Sequence, residues 1–162
     1  MVIWDFLFEA AGPGCTYVIS QKLATDIQIT VKTHWHQIQE VGLHDWFVYA
    51  YARAHGYRWV IDDFSGMLYR QHAKNQVGAN AGLKAFLYRA RKVVNGWGLS
   101  QASLIANIVG MGEDPFVKKW SSGRRFGLIF LALHAHQCRR RIRDKVLFGF
   151  SCILLSVTRK RS

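Results

Sequence analysis

The chain has 162 residues, half of them apolar and a fifth charged, which excludes a disordered or collagen-like polymer and leaves enough length to bury a core without disulfides or metal. Its three cysteines, Cys15, Cys138 and Cys152, are too few and too widely spaced for a disulfide framework and fit a reducing compartment. The formal charge of +12 is unevenly held: residues 1–75 carry six Lys/Arg against seven Asp/Glu, residues 76–162 sixteen against three, so an anionic partner is expected for the second half alone.

The first residues show neither the basic region nor the cleavage site of a secretory leader. Residues 2–8, Val-Ile-Trp-Asp-Phe-Leu-Phe, favour β structure and predict a strand. The turn at 11–14 contains Gly12, Pro13 and Gly14, and a short strand is expected at 15–19. Ser20 is suited to cap a helix reaching about Ile29, and Gly42 to end one. His44 and Asp45 then precede Trp46, Phe47, Tyr49, Ala50, Tyr51 and Ala54, a helical apolar spacing that stops at Gly56. Strands are expected at 57–61 and 67–70, joined by the turn at 62–66 and followed by a polar loop. Past Gly82 the pattern is helical, over 83–95, 99–110, 114–121 and 124–143. The chain closes with the apolar run 146–158 and Arg159-Lys160-Arg161. No apolar run reaches the ~20 residues of a spanning helix. A boundary is expected between 75 and 82, where the charge balance also changes.

Among the chemical groups, Asp45 has two readings from its position. It can cap its own helix, or act as a general base on a substrate hydroxyl, with Trp46 and Tyr49 offering ring faces to a sugar. The loop Arg70-Gln71-His72-Ala73-Lys74-Asn75 gathers phosphate-binding and metal-binding types, and is equally a solvated polar loop. His134, His136 and Cys138 cannot converge on one ion, because alternate residues of a helix point about 200° apart. His34 and His36 share that defect, and the adjacent acids Asp62 and Asp63 are expected in solvent.

Three segments in order carry a resemblance: Gly12-Pro13-Gly14-Cys15-Thr16-Tyr17-Val18, His44-Asp45-Trp46-Phe47, and Tyr69-Arg70-Gln71-His72-Ala73-Lys74-Asn75-Gln76-Val77-Gly78. Together they resemble the acceptor-side half of family 2 glycosyltransferases, and in particular the rhamnosyltransferase-like members, over residues 7–85. The resemblance implies an α/β fold. Residues 1–78 would be the C-terminal portion of a mixed, GT-A-type sheet, truncated at its N-terminus, and residues 79–162 a basic helical extension. It implies Asp45 as the catalytic base, with His44, Trp46, Gly14 and Cys15 about the acceptor. Arg70 and Gln71 would lie on the donor diphosphate, with His72 as a metal ligand. It further implies a nucleotide-sugar donor, with rhamnose the suggested sugar, a glycan or lipid-linked acceptor, and a divalent metal, Mg or Mn, in the complete enzyme.

One feature of the family is absent from the sequence. The nucleotide-binding half with its Asp-x-Asp motif does not precede Asp45, and Asp62-Asp63 follows it. The expectation is therefore a fragment of an inverting glycosyltransferase, inactive alone and in need of an N-terminal half. Its open sheet edge would expose apolar residues around Val2 to Phe8, and Asp45 and His72 would face one cleft. In the basic half, Arg124, Arg125, Arg139, Arg140, Arg141, Arg143 and Lys145 bracket apolar segments, as in helices that lie in the interface of an anionic membrane. That places the chain in the cytoplasm, peripheral on the inner membrane face. The rival expectation is a non-enzymatic basic module binding membranes or polyanions; nucleic acid is not favoured, for want of a recognised binding motif.

Overall fold

The computed structural model describes residues 1–62, 64 and 95–158. Among these there is no strand, and the expected α/β fold with a GT-A-type sheet is thereby overturned. Residues 2–8 form a single 3-10 turn, Asp5–Leu7, instead of a strand. The segment expected as strand at 15–19 follows a second such turn, Gly14–Thr16, and 57–61 is irregular. The strand expected at 67–70, the helix at 83–95 up to Val94, the boundary at 75–82, and Arg70, Gln71 and His72 all lie outside the described residues.

The helices follow local rules. α1, Gln21–Thr33, starts at Ser20, whose hydroxyl accepts the Leu23 N–H at 3.3 Å. A short turn of helix, α2, spans Trp35–Ile38. α3, His44–Ala54, buries Trp46, Phe47, Tyr49 and Ala50 at three- and four-residue spacing. It stops before Gly56, whose φ of +73° is the left-handed conformation that glycine adopts without steric cost. α4 is Trp97–Ile108. α5, Pro115–Ser121, opens on Pro115 behind Asp114, whose carboxylate accepts the Phe116 N–H at 2.8 Å. The helix expected over 124–143 is instead broken into α6, Arg125–Leu133, and a single turn, α7, Ala135–Cys138. α8, Ile142–Thr158, then absorbs the last apolar run.

α6 and α8 make the most extensive helix pairing. At Gly127 a Cβ would run into the Lys119 carbonyl and Trp120 Cα, so the glycine lets α6 come close to α5. One core takes side chains from both halves of the sequence, among them Leu7, Tyr49, Ile105, Trp120, Leu131 and Cys152. The apolar exposure expected around Val2 to Phe8 is limited to Met1 and Ile3, since Phe6, Leu7 and Phe8 are buried. Trp4 stacks flat on Phe116 at 4.4 Å, and Phe8 meets the rings of Trp120 and Phe148 at 5.1 and 5.0 Å. Burial of each such side chain contributes about 1.5–3 kcal/mol, which holds residues 4–8 against helices from the far end of the chain.

Ion pairs fix the same segment. Asp5 is fully buried and receives Arg53 Nη1 at 3.0 Å and the Tyr49 hydroxyl at 2.9 Å. Arg53 also donates to the Val2 carbonyl. Glu9 accepts the Arg140 backbone N–H at 2.8 Å and its guanidinium Nε at 3.1 Å, and lies 3.7 Å from Arg139 Nη1. Two of the cations that the sequence offers to an external partner, Arg139 and Arg140, are thus engaged inside the fold.

Candidate active site

A cleft of about 930 Å³ opens between the Gly14–Thr16 turn, the first residues of α3, the start of α4 and one flank of α8. Its walls are built by short-range devices. The Tyr17 hydroxyl donates to the Gly12 carbonyl at 2.9 Å and accepts the Gly12 N–H at 3.2 Å, which closes residues 12–17 into a loop. Within it, Thr16 Oγ1 donates to the Pro13 carbonyl at 2.7 Å. Burial raises the Tyr17 phenol above its ordinary pKa, and the nearby Asp45 carboxylate adds to the shift, so this clasp stays protonated.

The loop is pressed against the start of α3. A Cβ at Gly14 would stand 2.7 Å from His44 Nε2, the far end of an exposed side chain, and 3.1 Å from Asp45 Cβ, so the glycine suits the close approach of the loop to α3. On the other side, Gln101 of α4 clamps the chain before α3. Its Oε1 accepts the Gly42 N–H at 2.7 Å and its Nε2 donates to the Glu40 carbonyl at 3.0 Å. These contacts set where α3 begins and where its first carboxylate sits.

Asp45 is half-buried in the first turn of α3. It is not the N-cap: that position is Leu43, whose side chain makes no capping bond. Oδ1 accepts the Trp46 N–H at 2.8 Å, while Oδ2 takes no hydrogen bond from a described residue. The helix dipole favours negative charge at this end. The arrangement is an oriented carboxylate that lines an open cleft with one oxygen uncommitted among the described residues, able to accept a proton from a hydroxyl bound there.

Five of the residues singled out from the sequence, Gly14, Cys15, His44, Asp45 and Trp46, line this one cleft. His44 and Cys15 are exposed. Trp46 is nearly buried, its indole N–H donating to the Phe6 carbonyl at 3.0 Å. Tyr49, offered by the sequence as a ring for a sugar, is fully buried with its hydroxyl on Asp5. The common cleft expected for Asp45 and His72 involves a residue outside those described, as do the donor-side Arg70 and Gln71. Among the described residues no three of His, Cys, Asp or Glu converge as a metal ion requires.

Glu9, Asp144 and Ser151 also line the cleft and carried no signal in the sequence, and they are joined by Arg139, which the sequence offered to an anionic membrane instead. Glu9 lies just past the segment read as a strand, the others within the segment read as a basic extension. The one local sign was the crowding of Arg139, Arg140 and Arg141 behind Cys138 inside an expected helix.

Comparison with known proteins agrees with the family resemblance. The chain is 40% identical over 151 residues, 93% of its length, to dTDP-rhamnosyl transferase RfbG of Shigella flexneri. It spans about half of that relative, 52% of its length. No family model matches the chain, and no solved structure matches it significantly. The sequence thus resembles a rhamnosyltransferase-type glycosyltransferase along nearly its whole length.

Proposed function

We propose that this chain forms the acceptor side of an inverting family 2 rhamnosyltransferase, with Asp45 as the general base. Asp45 Oδ2 takes the proton of an acceptor hydroxyl. The freed oxygen attacks the anomeric carbon of the donor sugar, forming the glycosidic bond. The bond from that carbon to the nucleotide diphosphate breaks, and its electron pair leaves on the phosphate oxygen. The relative's name points to dTDP-rhamnose as donor; the acceptor is a glycan or a lipid-linked sugar. His44, Cys15 and Gly14 border the acceptor, and the Gly14–Asp45 contact holds the base in place.

Arg70, Gln71 and His72 are assigned to the donor side of the complete enzyme. A divalent metal, Mg or Mn, belongs to the same proposal; the described residues supply no cluster for it, and no step above passes through it. The complete enzyme is placed in the cytoplasm, on the inner face of the membrane, and this chain alone is expected to transfer no sugar.

The observation that supports the reading is the uncommitted oxygen of Asp45 in a cleft whose wall, Gly14 to Cys15, is shaped around it. In the complete transferase containing this sequence, Asp45→Asn is expected to lower transfer by about 10²–10⁴-fold with donor binding retained. Near-normal turnover by that variant would remove Asp45 from the chemistry.

A further inference from the structure

α8 has an apolar face that the fold does not cover. Ile142, Val146, Phe150, Ile153 and Val157 follow one another at spacings of four, four, three and four, which places them on one arc of the helix. They are 79, 66, 65, 52 and 66% exposed. The opposite arc, with Phe148, Cys152 and Leu155, is packed inside the protein. On the adjoining helix Phe126 and Leu133 are also exposed. An exposed apolar arc of this length on one helix marks an interaction site.

The charges around it indicate the partner. Arg124 and Arg125 are exposed at the start of α6, where the helix dipole disfavours a cation, so they do not serve their own helix. Among the described residues no acid pairs with Arg124, Arg125, Arg141 or Lys145. A second copy of the chain would set these cations against one another, whereas a sheet of anionic headgroups neutralises them. No helix among the described residues is long and apolar enough to cross a bilayer, so the helix would lie along one.

We propose that α8, together with the start of α6, seats the protein on an anionic phospholipid surface. The arc from Ile142 to Val157 enters the headgroup–acyl boundary, and the arginines meet the phosphates. Leu147 stands between this arc and the Asp45 cleft and lines the cleft itself, so the seated protein holds the cleft beside the headgroups. The inference deepens the transferase reading, resting on it only for the meaning of that position; lipid binding is measured separately.

The test is flotation of the 162-residue chain with vesicles of equimolar phosphatidylglycerol and phosphatidylcholine, and with phosphatidylcholine alone. Flotation is expected with the anionic vesicles, weakening as salt is raised to about 1 M. Val146→Glu/Phe150→Glu is expected to lower partitioning more than about tenfold, since two apolar side chains no longer enter the lipid. Arg124→Gln/Arg125→Gln is expected to lower it roughly thirtyfold on anionic vesicles and little on neutral ones. Circular dichroism checks that each variant keeps its helices. No flotation, or flotation untouched by Val146→Glu/Phe150→Glu, overturns the proposal. So does a change of oligomeric state in light scattering without a change in flotation, which would assign the face to a second copy. In the complete enzyme, Asp45→Asn should bind vesicles as the parent does, so failure of the catalytic reading and of the lipid seat can be told apart.

Discussion

Asp5 and Arg53, 48 residues apart, meet with Oδ1 and Nη1 at 3.0 Å. The carboxylate is fully buried, and the Tyr49 hydroxyl and, at 3.7 Å, Arg140 complete its surroundings. The pair fastens the 3-10 turn at the start of the chain to α3, and through Arg140 to the segment before α8.

Asp5→Ala leaves Arg53 without its buried counter-charge. The expected loss is about 3–5 kcal/mol, read from urea unfolding. Replacing both partners, as Asp5→Leu/Arg53→Met, should cost less than either single change, because no orphaned charge remains. A loss below about 1 kcal/mol for Asp5→Ala would show that the pair does not hold the turn.

Gly14→Ala forces a methyl to within 2.7 Å of His44 Nε2 and 3.1 Å of Asp45 Cβ. The His44 ring swings aside and the loop eases off Asp45 by a few tenths of an ångström, at a cost of about 1 kcal/mol. In the complete enzyme the expected result is a raised acceptor KM. Gly12→Ala meets nothing within 4 Å and serves as the matched control. Equal behaviour of the two variants would mean that the approach of Gly14 to Asp45 is unimportant.

Asp45→Ala should separate stability from catalysis. Its one hydrogen bond among the described residues, from the next N–H in its own helix, is worth about 1 kcal/mol, so the variant should unfold close to the parent. Transfer in the complete enzyme should nonetheless be lost. A much larger shift in the unfolding midpoint would make Asp45 a structural residue first.

The cysteines should differ sharply in reactivity. Cys15 is exposed, whereas Cys138 and Cys152 are buried. Burial pushes the Cys152 thiol up to about 12 from an ordinary 9.0, and raises Cys138 further still. A thiol reagent at neutral pH should label one site in the native chain and three in urea. For Cys152 the native state holds the proton more tightly than the unfolded chain. Its contribution to stability is therefore whole below pH 9, declines above it, and is lost as pH passes about 12. Unfolding midpoints measured on the alkaline side should fall along that window. Rapid native labelling at three sites would contradict the buried placement.

Legibility in the sequence followed the range of the forces involved. The start and stop of α3, the Ser20 cap of α1 and the Asp114-Pro115 start of α5 are set by neighbours in sequence, and could be read there. The strand expected at 2–8 failed because Phe6, Leu7 and Phe8 are three consecutive buried residues in a 3-10 turn, a pattern with neither the two-residue nor the helical period. Asp5, an interruption in that supposed strand, is the anchor of the turn, but its partners lie at positions 49, 53 and 140. The expected helix over 124–143 breaks at His134 and again at Arg139, whose extended backbone leads into Arg140 at Glu9, a contact across 131 residues. The cleft was legible on the Gly14 to Cys15 and His44 to Asp45 side; the wall supplied by Arg139, Asp144 and α8 depends on tertiary packing alone.

That contact between Glu9 and Arg140 also constrains the order of events as the chain is synthesised. Residues 5–9 leave the ribosome well before the guanidinium groups and rings that receive them. Until then the inward faces of α3 and α4 have no cover, and Asp5 can find only Arg53 and Tyr49. Closing contacts across so long a stretch of sequence is slow, and it leaves apolar surface open while translation continues. The packing of residues 5–9 thus waits for α8, and growing chains stalled before α8 should be the ones that chaperones hold.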